Sequence, residues 1–352
     1  MAGEGWHAER RSCLRGPASD AEAVRSRSEA TKRPQATNGN LGMSTPVPPL
    51  AWGLLERCHF PSAGTEVVCA VSGGADSLAL LVLAVFAGCK VTAVHVDHGL
   101  RTESAAEAGV VEAVAARLGA TFRSERVSVG PGANLEARAR EARLGVLPAQ
   151  AATGHTMDDQ AETVLLNMLR GAGLDGIGAM RPGPRHPILE LRRAETRALC
   201  QELGIEAVSD PSNDDPRFLR NRVRHELIPL MNEIARRDVV PLLARQALLA
   251  GDEASYLDML ASMVDPTDAA GVARAPLVLA RRAIRSWLRG SCSHPPDLAA
   301  IERVLDVASG KRRATEVAPR VRIRRSHGRL SKASLPAEDP RGEIHSGSLG
   351  AR

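Results

Sequence analysis

Apolar positions change their spacing along this chain of 352 residues. Residues 1 to about 48 are rich in Arg, Ser, Ala and Pro, hold almost no apolar period and end in STPVPPL, the composition of a disordered extension. Met43 is an alternative start within it. From Glu66 onward, short apolar runs alternate with longer stretches whose apolar residues recur every three or four positions. The runs at Val67 to Val71, Val91 to Asp97 and around Phe122 to Val129 predict strands, and a weaker run precedes Gly154. Helices are predicted over Ser77 to Ala87, from the Ser104/Glu107 capping-box pair to Leu118, from Asn134 to about Leu147, and after Gly154. Strands that alternate with helices predict an α/β fold, a doubly wound parallel sheet covered on both faces, with ligands at the carboxyl ends of its strands.

Beyond this region the period becomes mainly helical. The Gly/Pro-rich connection GAGLDGIGAMRPGPRHPILEL leads to a helix over Arg192 to Leu203 and a short strand around Ala207. Phe218 to about Val264 is helical in pattern, with breaks expected at Pro229 and Pro241. Two more helices contain ARRAIRSWLRG and DLAAIERVLDVA, and Val321 and Ile323 alternate with arginines as in a half-exposed strand. The resulting plan is an extension (1–48), an α/β domain (60–216), linker helices (217–264), a smaller mainly helical C-terminal region (270–335) and a loose tail (336–352).

Composition narrows the class. With 43% hydrophobic and 25% charged residues, the chain has material for a sizeable core and for two or three domains. No run of about 18 apolar residues is present, and MAGEGWHAERRSCLRG carries charge where a signal peptide needs apolar residues, so a cytoplasmic protein without a membrane partner is expected. Cys13, Cys58, Cys69, Cys89, Cys200 and Cys292 form no Cys-x-x-Cys pair, which argues against a disulfide framework and a zinc site. A net charge of +5 and a pI near 9.1 allow a polyanionic partner without requiring one.

The most chemical stretch is VVCAVSGGADSLALL. A helix start offers unpaired N–H groups and partial positive charge, and Gly73 and Gly74 let a phosphate approach the backbone without meeting a Cβ. Ser72 and Ser77 add hydroxyls, while Asp76 repels phosphate unless a cation such as Mg²⁺ lies between them. The same turn also suits an ordinary strand-to-helix connection. A Walker A loop is excluded, because Gly310-Lys311 is followed by Arg312. The spacing of Gly171, Gly173 and Gly176 mimics a dinucleotide motif but follows a helix rather than a strand.

Ser72-Gly-Gly-Ala-Asp-Ser77 resembles the PP-loop of N-type ATP pyrophosphatases. Three further segments occur in order: His95-Val-Asp-His-Gly-Leu-Arg101, Gly154-His-Thr-Met-Asp-Asp-Gln-Ala-Glu-Thr163, and Asp210-Pro-Ser-Asn213 before Arg220-Asn-Arg-Val-Arg224. Together they closely resemble the tRNA(Ile)-lysidine synthase family over roughly residues 64 to 230. The resemblance implies an enzyme that uses ATP to adenylate the C2 oxygen of the wobble cytidine of tRNA(Ile) with a CAU anticodon, after which the amine of L-lysine expels AMP. ATP and Mg²⁺ are then expected at Ser72, Gly73, Gly74, Ala75, Asp76 and Ser77, with His98, Arg101 and His155 beside the nucleotide and Asp76 as metal ligand. Asp158, Asp159, Glu162, Arg220 and Arg222 are expected at the substrate, and Asp76, Asp159, Glu162 and Arg222 in catalysis. Attack needs a neutral amine, which makes a carboxylate useful as orienter and proton acceptor.

Other roles stay open. Asp158 or Asp159 also suits a helix cap, His98 a solvated turn, and Arg220, Arg222 and Arg224 a solvated helix face, with the essential arginine undecided. His95 reads as structural. Where the family commonly shows two adjacent histidines this chain has His155-Thr156, and its C-terminal part is short. Arg281, Arg282, Arg285, Lys311, Arg312, Arg313, Arg320, Arg322, Arg324 and Arg325 are the basic residues expected to meet tRNA phosphates. With only 2% aromatic residues, base stacking is not the main grip. Alternatives from other classes are a tRNA-thiolating enzyme and a non-catalytic adenine-nucleotide module. Nothing decides the oligomeric state, a homodimer included.

Overall fold

The structure is a computed structural model that describes residues 47–97, 104–127, 138, 142, 145–208, 215–290 and 296–334. These fall into two compact units, one holding the residues up to 156 with 182–208, the other 157–181 with those from 215 on. Among the described residues no helix is long and apolar enough to cross a membrane.

The first unit is built on a four-stranded parallel sheet of β1 (Glu66–Ala70), β2 (Lys90–Asp97), β3 (Thr121–Arg126) and β4 (Ala152–Thr153), ordered β3-β2-β1-β4. A helix α1 (Pro49–Leu55), absent from the sequence expectation, precedes it. Helix α2 (Ala75–Phe86) joins β1 to β2, and every residue from Ser77 to Phe86 is buried. Its sequence is apolar all round, as a helix enclosed on every side requires. Leu78, Leu80, Leu81 and Leu83 are each fully buried, and removing such a side chain from water stabilises by about 1.5–3 kcal/mol. Helix α3 (Ser104–Arg117) joins β2 to β3. Neighbour order reverses at β1, which pairs with β2 on one side and with β4 on the other. The loops leaving β1 and β4 therefore flank the switch-point crevice, where open parallel sheets bind ligands.

In the same unit, helix α6 (Arg193–Glu202) packs against α2, after α4 (Met157–Leu169) and the short α5 (Leu174–Ile177) have passed through the other unit. The expected strand around Ala207 does not form. Instead the Val208 N–H donates to the Gly73 carbonyl at 3.0 Å, a single bond to the loop rather than a ladder. The expected helix from Asn134 lies almost wholly outside the described residues.

In the second unit, Ala161, Val164, Leu165 and Leu166 form the buried face of α4, while Met168 and Leu169, at the same helical spacing, are exposed. Pro229 does not break its helix. Helix α7 (Leu219–Arg222) runs through a π turn (Val223–Leu227) into α8 (Ile228–Ala235), with Pro229 in the first turn of α8. The wider π turn accommodates a residue that cannot supply an N–H. Chain direction changes later, at Arg236 with φ 52°, and Pro241 opens α9 (Val240–Ala261). A separate core joins α10 (Ala269–Arg274), α11 (Leu277–Leu288) and α12 (Leu298–Ala308) to an antiparallel sheet of β5 (Ala314–Ala318), β6 (Val321–Ser326) and β7 (Arg329–Ser334). Ile323 is fully buried in that core and Arg322 and Arg324 face outward, as the alternation predicts.

Candidate active site

The loop after β1 is held open by its own backbone. The Val71 N–H still pairs with the Val94 carbonyl at 2.9 Å, and Gly73 then turns with φ 89°, a conformation costly for any side chain. Gly74 stands at the N-cap of α2 without a side-chain cap, so the first-turn N–H groups lie at the loop. The Ser77 hydroxyl is spent inside the turn, donating to the Gly74 carbonyl at 2.8 Å and accepting the Ser72 N–H at 3.1 Å. Ser72 stays on the exposed rim. From the β4 side, a Cβ on Gly154 would stand 2.8 Å from the Asp76 carbonyl oxygen, so only glycine lets β4 end against the start of α2. A helix start with this approach has the geometry to receive a phosphate.

Asp76, in the first turn of α2, does not stand alone. Arg193 Nε donates to its Oδ2 at 3.3 Å, and the fully buried Thr196 hydroxyl donates to Oδ1. Both partners lie in the first turn of α6, which is fixed by Glu195 accepting the Arg192 N–H at 2.8 Å and gripping Arg57 at 2.5 Å. Partial burial works to raise the Glu195 carboxyl, but the hydrogen bonds from Arg57 and the Arg192 N–H outweigh it and leave the group below the ordinary glutamate range. Burial, then the Asp76 charge, pushes the Cys200 thiol up to about 11, and that thiol donates to the Ala75 carbonyl at 3.5 Å. Arg193 and Thr196 were not legible as site residues, since no local pattern joins them to a carboxylate more than a hundred positions away.

As a Mg²⁺ site this donor set fits a nucleotide-borne ion. Mg²⁺ is held by one or two carboxylates with phosphate oxygens and waters, and Asp76 is a single, partly exposed carboxylate beside a phosphate cradle. No group of three or more His, Cys, Asp or Glu side chains suited to a metal occurs among the described residues.

At the end of β4, the Thr153 hydroxyl meets His155 Nδ1 at 2.7 Å and His186 Nδ1 at 2.8 Å, and the two rings stand edge to face at 5.2 Å. His186 joins His155 from a distant segment and was absent from the sequence reading. His95 is buried with Nδ1 3.0 Å from the Val71 carbonyl, a brace for the strand end. His98, Arg101 and Asp210 to Asn213 lie outside the described residues.

The second unit carries the other carboxylates. Helix α4 begins at Met157, which places Asp158 and Asp159 in its first turn, where negative charge suits the helix dipole. Asp159 and Glu162, three residues apart on α4, share a face, and arginines hold it. Glu162, with a side chain 1% exposed, accepts Arg220 Nε at 2.7 Å and Arg224 Nε at 2.6 Å. Arg220 also reaches Asp159 at 3.1 Å. Arg222 is set apart, exposed and paired with Glu226 at 2.8 Å. Among the three arginines the carboxylates therefore gather Arg220 and Arg224 and leave Arg222 outside. Gln160 is tied through both amide atoms to the backbone of Met180 at 2.9 and 3.0 Å, which fixes the turn of α4 that presents these groups.

Five of the ten basic C-terminal residues have acidic partners: Arg281 pairs with Glu302, Arg282 with Asp175 and Asp258, Arg285 with Asp175, and Lys311 and Arg312 with Asp306. Arg325 donates to the Ala308 carbonyl at the end of α12 at 3.0 Å, a structural use. Among the described residues, Arg313, Arg320, Arg322 and Arg324 carry no ion pair.

Residues 54–231 match the family described as the PP-loop domain, and residues 268–331 match the TilS substrate binding domain. A tRNA(Ile)-lysidine synthase of Nocardia farcinica is 42% identical over 254 residues, covering 68% of this chain and 80% of that protein. Those of Rhodococcus opacus and Thermobifida fusca are 37% and 39% identical, covering 78% and 69% of this chain and 90% and 83% of theirs. With a glycine cradle after β1, an arginine-held carboxylate pair on α4, and identity that spans most of such relatives, the chain belongs to the tRNA(Ile)-lysidine synthase family.

Proposed function

We propose that the chain joins L-lysine to C2 of the wobble cytidine of tRNA(Ile) with a CAU anticodon, consuming ATP and releasing AMP and pyrophosphate. The observation that carries this reading is a phosphate cradle of PP-loop type and a match to a substrate-binding domain in one chain. In the first half-reaction the cytidine C2 oxygen attacks the α-phosphorus, and the bond to the bridging oxygen breaks. The N–H groups at the start of α2 receive the phosphates, with Ser77 keeping the turn in shape. Asp76 would hold a Mg²⁺ ion, which when bound would supply charge for the departing pyrophosphate. His155 lies beside the nucleotide, and His98 and Arg101 are assigned the same neighbourhood.

In the second half-reaction the lysine Nζ attacks C2, the C2–O bond breaks and AMP leaves. Asp158 and Asp159 are the carboxylates to meet the ammonium and receive its proton. Glu162, enclosed by two guanidiniums, acts by keeping Arg220 and Arg224 in place. Arg222, with its exposed pairing, serves at the substrate only by leaving Glu226. The arginines of β6 and its flanks that carry no ion pair offer tRNA phosphates a salt-sensitive contact.

Thiolation is disfavoured by the thiols among the described residues. Burial pushes Cys58 and Cys69 up to about 12 and also raises Cys89, whereas sulfur transfer needs a thiolate. The deciding experiment supplies ATP, labelled lysine and tRNA(Ile) transcript, with elongator tRNA(Met), which shares the CAU anticodon, as control. Lysine incorporated into tRNA(Ile) alone, with equal AMP and pyrophosphate, is expected. ADP as product, or ATP binding without turnover, overturns the assignment.

A further inference from the structure

The loop poses an electrostatic problem, because the helix start that should attract phosphate carries a carboxylate in its first turn. We infer that Arg193 is a positioning residue of the adenylation site, a built-in counter-charge to Asp76 that lets the loop accept phosphate before any divalent ion contributes. The inference rests on the function proposed above.

Three observations converge. Arg193 Nε meets Asp76 Oδ2 at 3.3 Å, with both side chains largely withdrawn from water at 15% and 24% exposure, so the pair is screened less than a surface pair. Arg193 stands at the first position of α6, whose own N-terminal turn faces the same carboxylate through Thr196. Asp76 thus lies between the positive ends of two helices and a guanidinium. The Thr196 hydroxyl has one proton and two acceptors, Asp76 Oδ1 and the Arg193 carbonyl, so its hold on Asp76 is shared. Arg193 is the full charge of the set. Its backbone is locked by the α6 capping arrangement and the Arg57–Glu195 pair, so the guanidinium is delivered from a rigid element. A lysine keeps this charge, whereas a glutamine keeps only the length and some hydrogen bonding.

The test is ATP binding by the full-length protein, measured in EDTA and at saturating Mg²⁺, for the wild type, Arg193→Gln, Arg193→Lys, Asp76→Asn and the double variant Arg193→Gln/Asp76→Asn. Loss of a charged hydrogen-bonding partner should weaken ATP binding by Arg193→Gln roughly 10- to 100-fold in EDTA, with a clearly smaller loss in Mg²⁺ because the ion supplies the same charge. Arg193→Lys should bind within a few-fold of wild type, and KM for lysine should not move in Arg193→Gln. In the Asp76→Asn background the same substitution should cost little, since no carboxylate remains to be neutralised. Equal losses with and without Asp76 would overturn the inference, as would wild-type affinity for Arg193→Gln in both buffers. Failure of the wild type itself to bind ATP would instead remove the functional reading, a result readily told apart from either.

Discussion

Asp76 and Glu162 are both carboxylates held by arginine, yet they are built by different means. Asp76 sits beside a turn made by glycines and backbone hydrogen bonds, keeps partial contact with solvent and meets the Arg193 guanidinium. Glu162 is enclosed, and Arg220 and Arg224 hold both of its oxygens. The difference teaches which group can exchange partners and which is locked into the packing. A partly exposed charge beside a cradle can exchange partners cheaply, whereas a buried one cannot lose a partner without leaving uncompensated charge.

Removing the enclosed group should therefore have the largest structural effect. Glu162→Ala is expected to lower stability by about 3–5 kcal/mol in denaturant unfolding, while Asp76→Ala costs less than about 1.5 kcal/mol. Equal losses would break the comparison. In turnover the order should invert for the loop: Asp76→Asn is expected to reduce lysine incorporation roughly 100- to 1,000-fold with the fold intact by circular dichroism. Near-normal turnover at saturating Mg²⁺ would remove Asp76 from the machinery.

Asp159 tests the boundary between the two kinds. It touches Arg220 at 3.1 Å but shares less of the enclosure than Glu162, so Asp159→Ala should release pyrophosphate while losing roughly tenfold or more in lysine transfer. Parallel loss of both signals would assign Asp159 to the nucleotide. Smaller again is the effect at the exposed arginines of β6. Arg322→Ala with Arg324→Ala should weaken tRNA binding and reduce its salt slope by about 0.7–0.9 for each phosphate no longer neutralised, without change in ATP binding. Adding Arg325→Ala should instead lower stability, because that guanidinium holds the end of α12.

The smallest expected effect is a pH dependence. The Glu195 carboxyl is held low in the folded protein, so its contribution is present above the unfolded glutamate pKa and is lost as pH falls through the depressed folded value. Glu195→Gln should flatten the acid limb of the stability curve slightly, because solvent screens a group this exposed. A steeper acid limb in the variant would contradict that sign.

What the sequence determined on its own was everything with a short period or a backbone cause. Alternating strand and helix patterns identified the parallel sheet, Gly73 and Gly74 the turn, the Asp159/Glu162 spacing a shared helix face, and the Val321/Ile323 alternation the buried side of β6. These follow from torsional limits and periodicity, which act over a few residues. Tertiary structure alone decided that Arg193 and Thr196 hold Asp76, that His186 joins His155, and that Arg224 rather than Arg222 meets Glu162. It also carried the helix through Pro229 by way of a π turn. Charge pairing and close packing depend on distance in space, and residues far apart in the chain carry no local pattern that says which partner they will meet.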